Sequence, residues 1–489
     1  MKRVALVTFL ISQSVWAQPS TADDELEVPA SPGGPTAPAP GAKPGEPAPA
    51  PSAAPIAAAP SAQELDELRK RIAALEAAQQ KVPPAPIAEP ATAPKNEPKE
   101  DALPFGLRIG GYLQTQFEHN QQSEDQLLQG QPLNQNRFVL RRGRLRVDRE
   151  WEYAAATLEL DANTVRGVSF GVRRAEGTLW YRGKNANATV PLVAATLGVT
   201  DIPFGYELGV EPTRRRAFME RSVGTLALFP TDADVGLRVW GGYEFLRYAV
   251  AIMNGEPLDN SGFPRDPNAA KDVIGRFGVD VAPLPLVTLT GGASFATGKG
   301  FHAGQQATKD SVVWNDTNLD GDLDDGELVP VPGTASTPSE NFERWALGLD
   351  LGAVFHTKFG DTKLYGEAFV ASNYDRGFAR ADPVVSGVDV RHTGAYVALL
   401  QDVTRFGIAG FRFAYYDPNS DLTEQRQGEF VPLDQSVITL SPLAGLVLKD
   451  QARLLFQYDF VRDHLGRDER GVPADLRNDS FTLRLQVEL

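Results

Sequence analysis

The sequence predicts an all-β transmembrane barrel of about 16 antiparallel strands, preceded by a Pro/Ala-rich disordered segment and a short coiled-coil helix. Three observations predict it. From Leu107 onward, apolar and polar residues alternate with period two, as they do in strands with one apolar face. No apolar run there reaches the roughly 20 residues of a membrane helix, so any membrane contact falls to strands. The connections between strand-like segments alternate long and short, which a soluble sandwich has no reason to do and an outer-membrane barrel does.

The chain opens on MKRVALVTFLISQSVWAQPS. Lys2 and Arg3 precede a short apolar core, Val4 to Ile11, and Val15-Trp16-Ala17 offers a small-x-small cleavage site. Residues 1–17 therefore read as a signal peptide, and the protein as exported. Residues 18–60 are a Pro/Ala-rich linker with too little hydrophobic side chain to offset the entropy of ordering. Over 61–82 the pattern breaks: Leu65, Leu68, Ile72, Leu75 and Val82 form an a/d seam, and Ser61 with Glu64 a capping box. This is the expected coiled coil. A second Pro-rich linker covers 83–104, and the barrel domain runs over 105–489.

The 489 residues include no cysteine and carry a formal charge of −15. The acidic balance excludes a general nucleic-acid binder. Without cysteine there are no disulfides, thiolate metal sites or cysteine nucleophiles.

Strand faces can be assigned residue by residue. In LRIGGYLQTQF, Leu107, Ile109, Leu113 and Phe117 share a face opposite Arg108, Tyr112, Gln114 and Gln116. In the final SFTLRLQVEL, Phe481, Leu483, Leu485, Val487 and Leu489 oppose Thr482, Arg484, Gln486 and Glu488. Long connections are expected near 118–137, 163–169, 201–233, 255–271, 297–341, 373–391, 417–435 and 463–478, with short turns such as DREW, GKNANA and TKFGDT between them. An even strand count leaves both chain ends on the short-turn side. For the outer membrane of a Gram-negative bacterium that side is the periplasm, where the N-terminal arm could touch the cell wall.

RFVLRRGRLRVDREWEY, LGVTDIPFGYE, FMERSVGTLALFPTDADVGLRVWGG and YAVAIMNGEP together resemble the phosphate-selective porin family, of porin O and porin P type. The resemblance covers roughly 107–282. It implies a trimeric, water-filled barrel that contacts lipid and lipopolysaccharide and admits small solutes, in some members with anion preference.

In VLRRGRLRVD the expected apolar face is Val139, Gly143, Leu145 and Val147, which sends Arg142, Arg144 and Arg146 together into the lumen. Such a strip could hold oxyanions, or it could pair with Asp148, Glu159 and Asp161 and merely stiffen the wall. The connection 201–233 carries Arg214, Arg215, Arg216, Glu220 and Arg221. Folded inward, these are constriction candidates; otherwise they face lipopolysaccharide phosphates or a neighbouring subunit. No catalytic constellation stands out, since the five histidines are scattered and Ser294 lacks a nucleophile-elbow context.

NDTNLDGDLDDGE fits a calcium loop. Asp316, Asn318 and Asp320 take positions 1, 3 and 5; Gly321 is the turn; Asp322, Asp324 and Glu327 take 7, 9 and 12. Its flanks do not read as helices, so the expectation is a structural calcium ion in an external loop. A rival reading makes the barrel an anchor for a surface binding or adhesion protein whose external loop is ordered by calcium.

Overall fold

The computed structural model describes residues 106–489 apart from 129–130, 184–189, 257, 259–265, 285, 316, 319–320, 449–450, 467–473 and 476. The signal peptide, linkers and coiled coil expected over 1–104, and the template positions Asp316 and Asp320, lie outside the described residues.

Sixteen antiparallel strands close into one barrel, each pairing with its neighbours in sequence. They are β1 (Leu107–Asn120), β2 (Arg137–Glu150), β3 (Ala154–Asn163), β4 (Ser169–Tyr181), β5 (Val193–Asp201), β6 (Ala233–Tyr243), β7 (Leu246–Met253) and β8 (Asp272–Leu284). The second half is β9 (Val287–His302), β10 (Glu340–Thr357), β11 (Gly360–Ser372), β12 (Arg391–Asp402), β13 (Gly407–Asp417), β14 (Val437–Leu448), β15 (Ala452–Asp463) and β16 (Ser480–Glu488). β16 seals the barrel against β1, from Tyr112↔Glu488 to Asn120↔Ser480. Closure leaves no sheet edge with unpaired backbone groups, the condition for strands in a bilayer.

The expected rhythm of connections holds with one exchange. The turn 182–192, at the short-turn end, is longer than 164–168 at the other. Outward faces carry exposed apolar side chains around the wall, among them Leu197, Leu237, Ile252, Phe277, Leu349, Phe411 and Leu485. Trp151, Tyr153, Tyr181, Tyr243, Phe245, Phe359 and Phe406 are exposed in and beside the short turns, the aromatic girdle of an interfacial rim.

Two bulges correct the face assignments. β2 follows β1 in register until Gln114↔Arg142, then resumes at Thr115↔Leu140, which leaves Arg141 as an extra residue. An inserted residue reverses which side the chain beyond it presents. Val139 therefore points inward and is buried, while Phe138 and Leu140 take the outer face. The expected placement of Val139 on the apolar face is wrong for this reason. β4 repeats the device: Glu159↔Arg174 is followed by Leu160↔Val172, leaving Arg173 as the extra residue.

The lumen is not simply filled with water. Within it, Ile202, Phe204, Leu208, Leu228 and Phe229 of the connection 202–232 pack on Met253, Ile274, Phe369 and Tyr416 of the wall. A second apolar cluster joins Phe218 to Tyr365, Tyr396, Leu400 and Leu443.

Candidate functional site: the inward loop and the charged wall

The connection between β5 and β6 folds into the barrel. Its two ends are tied where the Ile202 amide donates to the Asp232 carbonyl at 3.2 Å. Gly205 opens the short helix α1 (Gly205–Gly209) with φ +59°, in the left-handed region that favours glycine. Its amide donates to Ser294 Oγ on β9 at 2.9 Å, and the Tyr206 amide to Glu367 Oε2 on β11 at 3.0 Å. A Cβ at Gly205 would stand 1.9 Å from Glu367 Oε1, so the close approach needs glycine twice over. Ser222 caps α2 (Val223–Leu228) and donates to Glu207, whose carboxylate also meets Arg412 Nη1 of β13 at 3.1 Å.

The loop then crosses to the opposite wall. The Met219 amide donates to Gln457 Oε1 on β15 at 2.9 Å, and Arg484 of β16 donates to the Met219 carbonyl at 2.7 Å. Glu220 sits at the centre of this contact. Arg141 Nε (2.8 Å), Arg142 Nη2 (2.9 Å) and Arg484 Nη2 (3.0 Å) all donate to its carboxylate. Burial alone would raise the Glu220 pKa, but these guanidiniums override it and hold the group well below the usual carboxylate range. Asp232 is held low against burial in the same way, chiefly by Arg173, with which it forms an ion pair. Each arginine doublet, placed at a bulge, thus sends at least one guanidinium to the inward loop.

The seven arginines expected to line the pore fall into four different settings. Arg142 binds the loop. Arg144 lies 3.3 Å from Glu159 and 3.6 Å from Asp161, and Arg146 lies 2.7 Å from Asp148. Each guanidinium of the strip has a carboxylate within ion-pair distance, so the wall carries both signs. Arg216 and Arg221 are buried and brace the loop from within, donating to the carbonyls of Glu207 (2.8 Å) and of Phe229 (2.7 Å). Arg214 and Arg215 are exposed, and Arg214 pairs with Glu488.

Sequence reasoning missed Arg141, Arg173, Arg174, Arg412 and Arg484 as loop and wall contacts. The doublets in VLRRG and GVRRA were the available signal, since two adjacent charges cannot both face inward in an unbroken strand. Beyond the loop, the wall from β1 to β6 lines a cavity of about 270 Å³ bearing five arginines, three carboxylates, Trp180 and Trp240.

The acidic stretch 315–327 forms the tip of a hairpin whose strands, Ser311–Trp314 and Leu328–Val331, pair from Ser311↔Val331 to Trp314↔Leu328. Gly321 has φ +79°, as the sharp turn of the template requires. Glu327 is buried and accepts from Trp314 Nε1 (2.9 Å), the Thr317 amide (3.0 Å) and the Asp324 amide (3.1 Å). The Trp314 hydrogen bond and then the Asp324 amide lead in drawing its pKa down to about 2. Asn318 Nδ2 donates to Asp324 Oδ2 at 2.8 Å. Among the described residues, no group of three or more His, Asp or Glu side chains is placed to hold a metal ion.

No family model matches this chain, and no curated protein does. Among solved structures, it is similar to OmpT, an outer membrane protein of Vibrio cholerae in trimer form, at 11% identity, 78% of this chain, 99% of that chain and a TM-score of 0.44. An anion-selective porin from Comamonas acidovorans matches at 11% identity over 78% and 99% of the two chains, with a TM-score of 0.44. The outer membrane channel DcaP of Acinetobacter baumannii matches at 9% identity over 78% and 97%, with a TM-score of 0.46.

Proposed function

We propose that the chain is a porin of a Gram-negative outer membrane, assembled as a homotrimer, through which small hydrophilic solutes bearing an anionic group diffuse passively. Phosphate falls in that class, as the phosphate-selective resemblance of residues 107–282 suggests. The observation that carries the reading is the inward loop 202–232, anchored on β2, β9, β11, β13, β15 and β16, inside a closed barrel with an apolar outer face. A loop so placed narrows a lumen, and the charged wall from β1 to β6 stays polar beside it. Five arginines against three carboxylates in the lining of that wall's cavity favour the anionic group. Planar-bilayer recording tests the reading. A steady open conductance with a reversal potential displaced toward chloride in a salt gradient is expected; a closed barrel would support the anchored surface-binding alternative.

We propose calcium as a separate, structural ligand of the hairpin tip. Asn318, Asp322, Asp324 and Glu327 would hold it together with Asp316 and Asp320, and the ion would fix the tip without taking part in passage. The left-handed Gly321 and the inturned Glu327 support this. Calcium must displace the donors that Glu327 already accepts, which suits a weak site of roughly 10⁻⁴–10⁻³ M. Protease cleavage within 311–331 should slow as calcium is added. Equal cleavage in calcium and chelator would exclude the ion.

A further inference from the structure

The cavity on the β1–β6 wall is lined by charged side chains of both signs, some of whose buried atoms have no hydrogen-bond partner. Among the described residues, Arg174 Nε and Arg238 Nε have no acceptor, and Glu176 Oε2 has no donor. All three side chains line the same cavity. Glu176 is only 8% exposed, and its nearest cation, Arg174 Nη1, is 3.6 Å from the other carboxylate oxygen. A buried polar atom left without a partner costs free energy. A ligand of matching chemistry would remove that cost at several atoms together.

Charge restricts the ligand further. A plain anion would satisfy the guanidiniums and bring its charge against Glu176, while a plain cation would do the reverse. Arg146 is already bonded to Asp148 at 2.7 Å, Arg174 Nη2 to both Asp201 carboxylate oxygens at 2.5 Å, and Arg238 lies 4.0 Å from Asp201, so much of the cationic excess in the lining is already paired. The two indoles complete the lining. Trp240 Nε1 donates to Thr196 Oγ1 at 2.9 Å and Trp180 Nε1 to the Glu152 carbonyl at 3.0 Å. Each ring also carries a guanidinium, Arg182 at 4.8 Å from the Trp180 centroid and Arg238 at 5.6 Å from that of Trp240, and with both N–H groups engaged what remains of the rings is apolar.

We infer that this cavity binds small zwitterions of the α-amino acid type, with the carboxylate on Arg174 and Arg238, the ammonium on Glu176, and an apolar side chain against Trp180 and Trp240. The inference rests on the channel reading for the route by which the solute arrives, and it narrows the solute class of that channel.

Three solutes of one shape separate the chemistries: phenylalanine, 3-phenylpropanoate and phenethylamine, each added at matched ionic strength to the full barrel in planar bilayers. Phenylalanine should interrupt the current at about tenfold lower concentration than either singly charged analogue. Glu176→Gln should erase its advantage over 3-phenylpropanoate. If 3-phenylpropanoate acts as well as phenylalanine on the unaltered chain, the cavity is an anion site and the inference fails. Tryptophan emission of the detergent-solubilised barrel, read with the same three solutes, does not need a conducting pore. A phenylalanine-specific change without conductance overturns the channel reading and leaves the site standing. Conductance without any phenylalanine-specific response overturns the site.

Discussion

Replacing Glu220 with alanine should release the inward loop from the wall. Its carboxylate accepts from three guanidiniums, and the Arg142 and Arg484 side chains around it are only 9% and 4% exposed. Alanine leaves these cations facing one another and Arg141 with no counter-charge. Removing one partner of a buried ion pair costs about 3–5 kcal/mol. Glu220 itself keeps 31% of its side chain exposed, so screening by lumenal water places the loss at the low end, about 3 kcal/mol. At 1.4 kcal/mol per factor of ten, that is roughly a hundredfold shift of the loop from docked toward undocked. In single-channel recordings the unaltered chain should give steady steps. Glu220→Ala should give noisy openings with a higher mean conductance, and Glu220→Gln, which keeps part of the hydrogen bonding, an intermediate trace. A Glu220→Ala barrel that is folded by circular dichroism yet conducts with unaltered steps and noise would refute the idea that this cluster holds the loop.

The remaining expectations concern pH and single residues. Because the folded-state pKa values of Glu220 and Asp232 are depressed, their contribution to loop docking is complete above the ordinary values of 4.5 and 3.8 and is lost only as pH falls well below them. Channel noise should therefore stay flat from about pH 7 to pH 5 and rise only in stronger acid; a rise near pH 6 would refute the assignment of docking to Glu220 and Asp232. Gly205→Ala forces a left-handed alanine, costing about 1–2 kcal/mol before its contact with Glu367 is counted, and should expose the Tyr206 amide to faster hydrogen exchange. Glu327 has a folded pKa of about 2, so its support of the hairpin tip persists below the ordinary 4.5 and fails as pH passes through 2. Pepsin at about pH 3 should therefore spare 311–331 in the unaltered chain and cut it in Glu327→Ala.

The barrel was legible in the sequence because closure and lipid exposure act on every strand alike. Period-two alternation and the distribution of connection lengths are repeated constraints, and one misread turn such as 182–192 leaves the strand count intact. The hairpin carrying 315–327 was legible for a local reason: SVVW alternates poorly with a helix, and the prolines of LVPVPG forbid one. The charged wall was harder, because a bulge is a single-residue event that inverts every assignment beyond it. Val139 was misplaced and Arg141 missed through the same insertion. The loop partners were out of reach altogether, since Glu220 meets Arg484 across 264 positions of chain and nothing local marks the pair.

The doublets show how such contacts are encoded. A strand in strict alternation offers the lumen one side chain in two, so two arginines adjacent in sequence cannot both face it. An arginine inserted at a bulge brings its neighbour to the same side, and at Arg141–Arg142 the pair closes on Glu220. At Arg173–Arg174 the second guanidinium turns instead to Asp201 and Glu176, which leaves one arginine for the loop and one for the cavity. The bulge in β2 therefore serves loop docking alone, whereas the bulge in β4 couples docking to the cavity wall. Substituting Arg173 should loosen the loop and disturb solute interruption together, whereas substituting Arg141 should change loop noise and leave the cavity's solute preference as it was.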